Sequence, residues 1–243
     1  PESVNLWRLI GLFRAWDGEE AKAAAALHKA AELDSANFEA AVETEALAQE
    51  LDRNVPENCT KLRTAAYDIE QVSRLLGKLD ESKLLVKIPN PPPREDDEQP
   101  TAGIYAVLNH PASEFHPGMK LNDLSRIVGR ITVLDSHPEQ ALPPRVLTTA
   151  LEGDKLNHTK ATLESVAAEL AHRVPNDPPE GTVVGVERPD DETMTFDYYM
   201  PKSIPAGDRR RLRREFLDSC WGDGWKKHPL RALGGKSPSE VAS

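Results

Sequence analysis

The stretch VNLWRLIGLFRAWDGEEAKAAAALHKAAELDSAN, residues 4–37, decides how the N-terminal part of the chain folds. Leu6, Leu9, Ile10 and Phe13 recur at the three-and-four spacing that gathers side chains on one helical face. Gly18 breaks this pattern before an alanine-rich run from 19 to 33. The spacing therefore predicts a helical hairpin. Ala23, Ala26 and Ala30 are small enough for the second helix to approach the bulky Trp7 and Phe13 of the first. A second helical pair is read from Phe38 and Val42 and then from Leu62, Ala66, Ile69, Val72, Leu76 and Leu79, with Pro56 in the connection.

Further along, PNPPPREDDEQP at 89–100 is rich in proline and carries four clustered acids, which predicts an extended, solvated linker. Beyond it the period changes to short β-branched or aromatic runs bounded by Pro, Gly, Asn or Asp. Strands are expected at 104–108, 126–134, 145–151, 182–186 and 193–199. Leu156, Leu163, Val166, Ala167 and Leu170 form an apolar stripe for a helix over 155–174, stopped by Pro175. A second helix over 208–221 would turn Leu212, Phe216 and Cys220 inward. The expected fold class is α+β: a helical segment over 1–88, the linker over 89–100 and a small α+β domain over 101–243 with a basic C-terminal helix.

Trp7, Ile10-Gly11, Ala23, Leu27 and Ala30 stand at the offsets of one tetratricopeptide repeat, a motif of about 34 residues, and residues 4–37 resemble that family. The family's aromatic is replaced by Arg14 and its proline by Ser35; the stretch from Phe38 matches poorly. Because such repeats bury their faces against neighbours and about three are needed for stability, a single good copy suggests the end of an array or a piece of a longer protein. The family's first helix lines a groove for peptides. The resemblance therefore implies a partner-binding set of Asn5, Arg8, Leu12, Ala15 and Trp16, with another protein or peptide as the partner.

The 243 residues are 39% hydrophobic and 29% charged, with a formal net charge of −10. This composition excludes collagen, a long coiled coil and full disorder. No apolar window approaches the length of a membrane span, and a cytoplasmic chain without a cofactor is expected. An acidic chain repels polyanions at long range, which disfavours nucleic acid as a partner. The charge is uneven, however, and residues 206–243 carry +4. Arg209, Arg210, Arg211, Arg213 and Arg214 are the candidate anion or nucleic-acid site, with Asp190, Asp191 and Glu192 as alternative internal partners.

His110, His116, His137 and His158, with Asp135, are the candidates for a metal centre and for a metal-dependent hydrolase reading. Their spacing matches no helical pair or compact loop, and three of them precede proline. Cys59 and Cys220 lie in no metal-ligand or redox spacing, and no serine-nucleophile elbow is present. Gly234-Gly235-Lys236-Ser237 resembles a phosphate loop but lacks the earlier glycine and a leading strand. Ser237, Pro238 and Glu240 instead spell a capped helix start. The expected function is non-catalytic protein interaction or assembly.

Overall fold

A computed structural model describes residues 3–34, 37–52, 59–92, 99–137, 141–175, 177–220, 225–227 and 236–241. The fold is α+β, and the chain divides into two compact units. One comprises Pro1–Thr60, Glu187–Met194 and Cys220–Ser243; the other comprises Lys61–Val186 and Thr195–Ser219.

The first unit opens with α1 (Val4–Trp16), α2 (Glu20–Leu33) and α3 (Phe38–Asp52). Ser3 caps α1, its hydroxyl accepting from the Leu6 amide at 3.4 Å. Gly18 takes a φ of 77°, a left-handed conformation that reverses the chain into α2. Ala23, Ala24, Ala26, Leu27 and Ala30 of α2 are buried, and so is Gly11 of α1. Close packing of the hairpin is present, with Gly11 of α1 against Leu27 and Ala23 of α2, but Phe13, expected opposite the alanines, is exposed. Near the C-terminus, the Glu240 amide donates to Ser237 Oγ at 3.3 Å and the Ser237 amide to Glu240 Oε2 at 2.7 Å. This is the reciprocal cap expected from the sequence, ahead of the short helix Pro238–Val241. The glycine pair 234–235 lies outside the described residues.

The second unit is a seven-stranded sheet in the order β2-β3-β4-β5-β1-β6, with β7 also paired to β1. The strands are β1 (Thr60–Ile69), β2 (Leu85–Ile88), β3 (Thr101–Leu108), β4 (Ile127–Leu134), β5 (Arg145–Leu151), β6 (Ala171–Arg173) and β7 (Thr182–Glu187). The pairs β1–β5, β1–β6, β2–β3, β3–β4 and β4–β5 are antiparallel. Helices α4 (Val72–Glu81) and α5 (Asp154–Ala167) contribute Leu75, Leu79, Leu163 and Ala167 to a core shared with Tyr67, Tyr105, Val107, Ile131, Val133 and Val146 of the sheet. At Gly129 in β4 a side chain would be impossible without rearrangement, because a Cβ there would lie 2.1 Å from Thr159 Oγ1 of α5. Among the described residues no helix is long and apolar enough to cross a membrane.

Four readings from the sequence are corrected. Residues 62–69 form most of β1, not part of a helix: Ala65, Tyr67 and Ile69 alternate inward, and this period of two prevails over the coincidental helical spacing of Leu62, Ala66 and Ile69. The helix expected over 155–174 ends at Ala167, and its tail becomes β6, held by β1 through His172 opposite Asp68. The 193–199 strand is absent; Pro189–Met194 is instead helix α6, consistent with a proline at its first position and acids behind it. Finally, 89–100 joins β2 to β3, which pair with Leu85 opposite Val107, so the proline-rich segment connects neighbouring strands of one sheet. The division between units falls at Thr60 rather than at 89–100, and residues 61–88 belong with the sheet. Residues 93–98 of the linker lie outside the described residues.

Candidate functional site

In α1 the face turned away from α2 is apolar. Leu6, Leu9, Leu12, Phe13 and Trp16 are all exposed, Trp16 to 83%, and Phe13 meets Trp16 edge-to-face with ring centroids 5.8 Å apart. Exposed leucines scattered singly are ordinary, but five large apolar side chains on one helix of thirteen residues are not.

The residues expected to bind a partner separate into two roles. Asn5, Leu12 and Trp16 are exposed and Ala15 is half-buried. Arg8 is also half-buried, and its Nη2 donates to the Ala40 carbonyl of α3 at 2.9 Å and to Thr44 Oγ1. Arg8 is therefore a tie between α1 and α3. It also fixes direction: Leu12, one turn on, shares the α3-facing side of α1, and Trp16 lies a further turn along and rotated outward. On α3, Leu47 sits one turn past Thr44 and is exposed, while Glu39 and Glu43 are exposed beside it and make no ion pair among the described residues. Helix α3 carries five acids and no lysine or arginine. The apolar face of α1 thus borders a helix whose charge is entirely negative.

A second tie holds α2 to α3. His28 Nδ1 stands 2.9 Å from Glu45 Oε2, and its Nε2 stands 2.7 Å from Asp52 Oδ2. Burial pulls the His28 pKa down, but hydrogen bonds and charge from Asp52 and Glu45 outweigh it and raise the imidazole above its ordinary value. The sequence reading missed this trio, in which Glu45 and Asp52 of α3 lie 17 and 24 residues from His28 of α2.

Three of the four candidate metal histidines have a side-chain partner nearby, whereas His137 is held through its backbone and its buried Nδ1 has no hydrogen-bond partner among the described residues. His110 Nδ1 lies 3.2 Å from Ser125 Oγ, His116 Nε2 lies 3.9 Å from Asp123, the His137 amide donates to the Leu142 carbonyl at 3.1 Å, and His158 Nε2 lies 3.0 Å from the Leu108 carbonyl. Among the described residues no three or more His, Cys, Asp or Glu side chains converge on a point that would hold a metal ion. Ser125 is 1% exposed, so its hydroxyl, although beside His110, is closed to a substrate. In the sheet, Tyr67 donates to Glu164 at 3.2 Å with the Arg173 guanidinium 5.7 Å from its ring centre. Burial, reinforced by Glu164, pushes the Tyr67 phenol up to about 12, so it stays protonated and serves as a structural donor.

The arginines expected at an anion site are on α7 (Ala206–Ser219), whose Leu212 and Phe216 are buried as the periodicity requires. Phe216 packs against Phe196 and Tyr198, with centroids 5.2 and 6.1 Å away. The aromatic run expected as a strand is the strap that seats this helix. No family model, curated protein or solved structure matches this chain.

Proposed function

We propose that this chain is a protein-interaction module whose contact surface is the exposed side of α1, with Trp16 and Leu12 as anchors. The observation that carries the reading is the row Leu6, Leu9, Leu12, Phe13 and Trp16, left exposed on a helix that meets α2 through the buried Gly11 on its other side. Contiguous apolar surface of this kind marks sites where another polypeptide removes it from water. Tryptophan is the residue type most enriched among those that dominate binding energy. Glu39 and Glu43 of α3 favour a partner that brings lysine or arginine to the rim. The resemblance of 4–37 to a tetratricopeptide repeat agrees with this use of the first helix.

The deciding experiment is quantitative co-purification with the native chain and with Trp16→Ala, read by mass spectrometry, alongside circular dichroism. Selective loss of captured proteins from a folded variant supports the proposal. An unchanged set of captured proteins refutes it, and loss of helical signal in the variant would mean that Trp16 is part of the fold.

A further inference from the structure

The five arginines of α7 divide by what they touch. Arg209 closes the segment before the helix, its Nε donating to the Ile204 carbonyl at 2.8 Å and its Nη2 to the carbonyls of Lys202 at 2.7 Å and Pro201 at 3.2 Å. Arg211 donates to the Met119 carbonyl at 2.6 Å and pairs with Asp208 at 3.2 Å and Glu215 at 3.5 Å. Both are structural. Arg210, Arg213 and Arg214 are exposed and make no ion pair among the described residues. Of the acids offered by the sequence as internal partners, Asp191 pairs with Arg188 at 2.8 Å and Glu192 accepts from Thr60 at 3.2 Å, and the Asp190 side chain lies outside those described.

Positions 210, 213 and 214 are three and four apart, so their guanidinium groups share one stripe of the helix, and Leu217, 46% exposed, continues it by a turn. Arg213 lies 5.9 Å from the ring centre of Phe196, close enough for the ring to steady its guanidinium. Like charges at this spacing destabilise the helix, and an anionic partner would remove that cost.

We propose that this stripe docks an acidic amphipathic peptide segment of another protein, carboxylates against Arg210, Arg213 and Arg214 and an apolar side chain against Leu217. Guanidinium groups bind carboxylates through paired hydrogen bonds, so glutamates at helical spacing on the partner fit arginines at helical spacing here. One observation favours a peptide over nucleic acid. The residue that extends the stripe is an aliphatic leucine, which gives an apolar contact but no aromatic face on which a base could stack.

The test uses the full chain and fluorescence anisotropy with three labelled probes: a short synthetic helix of glutamate and leucine, the same peptide with glutamine for glutamate, and a single-stranded oligothymidylate. Binding of the glutamate peptide, absent for the glutamine peptide and weakened about tenfold in Arg210→Ala/Arg214→Ala, is the expected result. Both substituted side chains are exposed, so the double variant should keep its circular dichroism spectrum. Equal affinity for the glutamine peptide, unchanged affinity in a folded double variant, failure of the native chain to bind the glutamate peptide, or tighter binding of the oligothymidylate at the same salt would each overturn the proposal. The glutamine-peptide comparison is made on the native chain, so it decides even if the variant does not fold.

Discussion

Arg8 and Ala40 are joined by a hydrogen bond of 2.9 Å that runs from the first helix directly to the third. Consecutive helices of a hairpin meet through apolar faces, but α1 and α3 are not consecutive, and a charged donor on a long side chain spans the distance. The same guanidinium reaches Thr44 Oγ1, and that hydroxyl donates to the Ala40 carbonyl at 2.7 Å. The three groups form a closed set. Arg8→Ala should therefore lower the stability of the chain by about 1–2 kcal/mol, the range for a hydrogen bond from a charged donor in a partly exposed setting. Arg8→Lys should recover only part of it, since one ammonium cannot reproduce the guanidinium fork. Urea denaturation of the three proteins checks this, and equal midpoints would contradict it.

Gly11 is the residue that lets α1 and α2 approach. A Cβ on it would lie 2.5 Å from Leu27 Cγ and 2.8 Å from Leu27 Cδ2, with the Ala23 carbonyl oxygen at 3.2 Å. Replacing glycine by alanine within a helix ordinarily gains about 1 kcal/mol. Overpacking a filled contact costs about 1–3 kcal/mol, so the clash outweighs the gain. Gly11→Ala should lower the melting temperature, whereas Gly77→Ala, where nothing lies within 4 Å of the added atom, should raise it or leave it unchanged. The opposite sign of the two substitutions is the measurement to make.

His28 makes the α2–α3 contact depend on pH. As an imidazolium it donates to both Glu45 and Asp52; as a neutral ring it donates to only one. Its folded pKa is raised above the unfolded value, so its contribution is fully present below about pH 6.5 and is lost as pH rises through the higher folded value. The native chain should thus lose stability relative to His28→Gln, which has no titrating ring, as pH rises above about 6.5. Thermal melts of both proteins over that rise in pH would show their difference shrinking; a constant difference would contradict the assignment.

Periodicity made α2, β5 and α7 legible through their buried positions; in α1 it gave the helix but not its packed side, since Leu6, Leu9 and Phe13 are exposed and Gly11 is the residue that is buried. Strand β5, Arg145–Leu151, matches the expected bounds, and α7 differs by two residues at each end. Strands β1, β2 and β6 were not legible for a shared reason. Leu85–Ile88 and Ala171–Arg173 are too short to show a period, and β1 has small, mixed side chains that suit helix or strand equally; partners distant in sequence decide all three. At the candidate sites, residue type was legible and engagement was not. Arg8, Arg209 and Arg211 resemble the exposed Arg210 and Arg214 in sequence, yet carbonyl groups 5 to 92 residues away hold them.

The contact between Gly129 and Thr159 offers the sharpest test of how α5 is seated on the sheet. Thr159 is fully buried and its hydroxyl donates to the Lys155 carbonyl at 2.8 Å, so the side chain is fixed from within its own helix and cannot swing aside freely. A methyl at 129 would meet Thr159 Oγ1 at 2.1 Å and Cγ2 at 3.0 Å, and also Ala150 Cβ of the adjacent strand at 3.1 Å. Gly129→Ala should therefore destabilise by about 2–3 kcal/mol through overpacking. Thr159→Ala alone should also destabilise, since it leaves a small void, but in the Gly129→Ala background it removes both colliding atoms and should restore part of the loss. The Ala150 contact remains, so recovery should be incomplete. A double-mutant cycle by chemical denaturation measures this: a coupling of about 1 kcal/mol or more in the compensating direction is expected. Strict additivity would mean that α5 does not rest on β4 at this point.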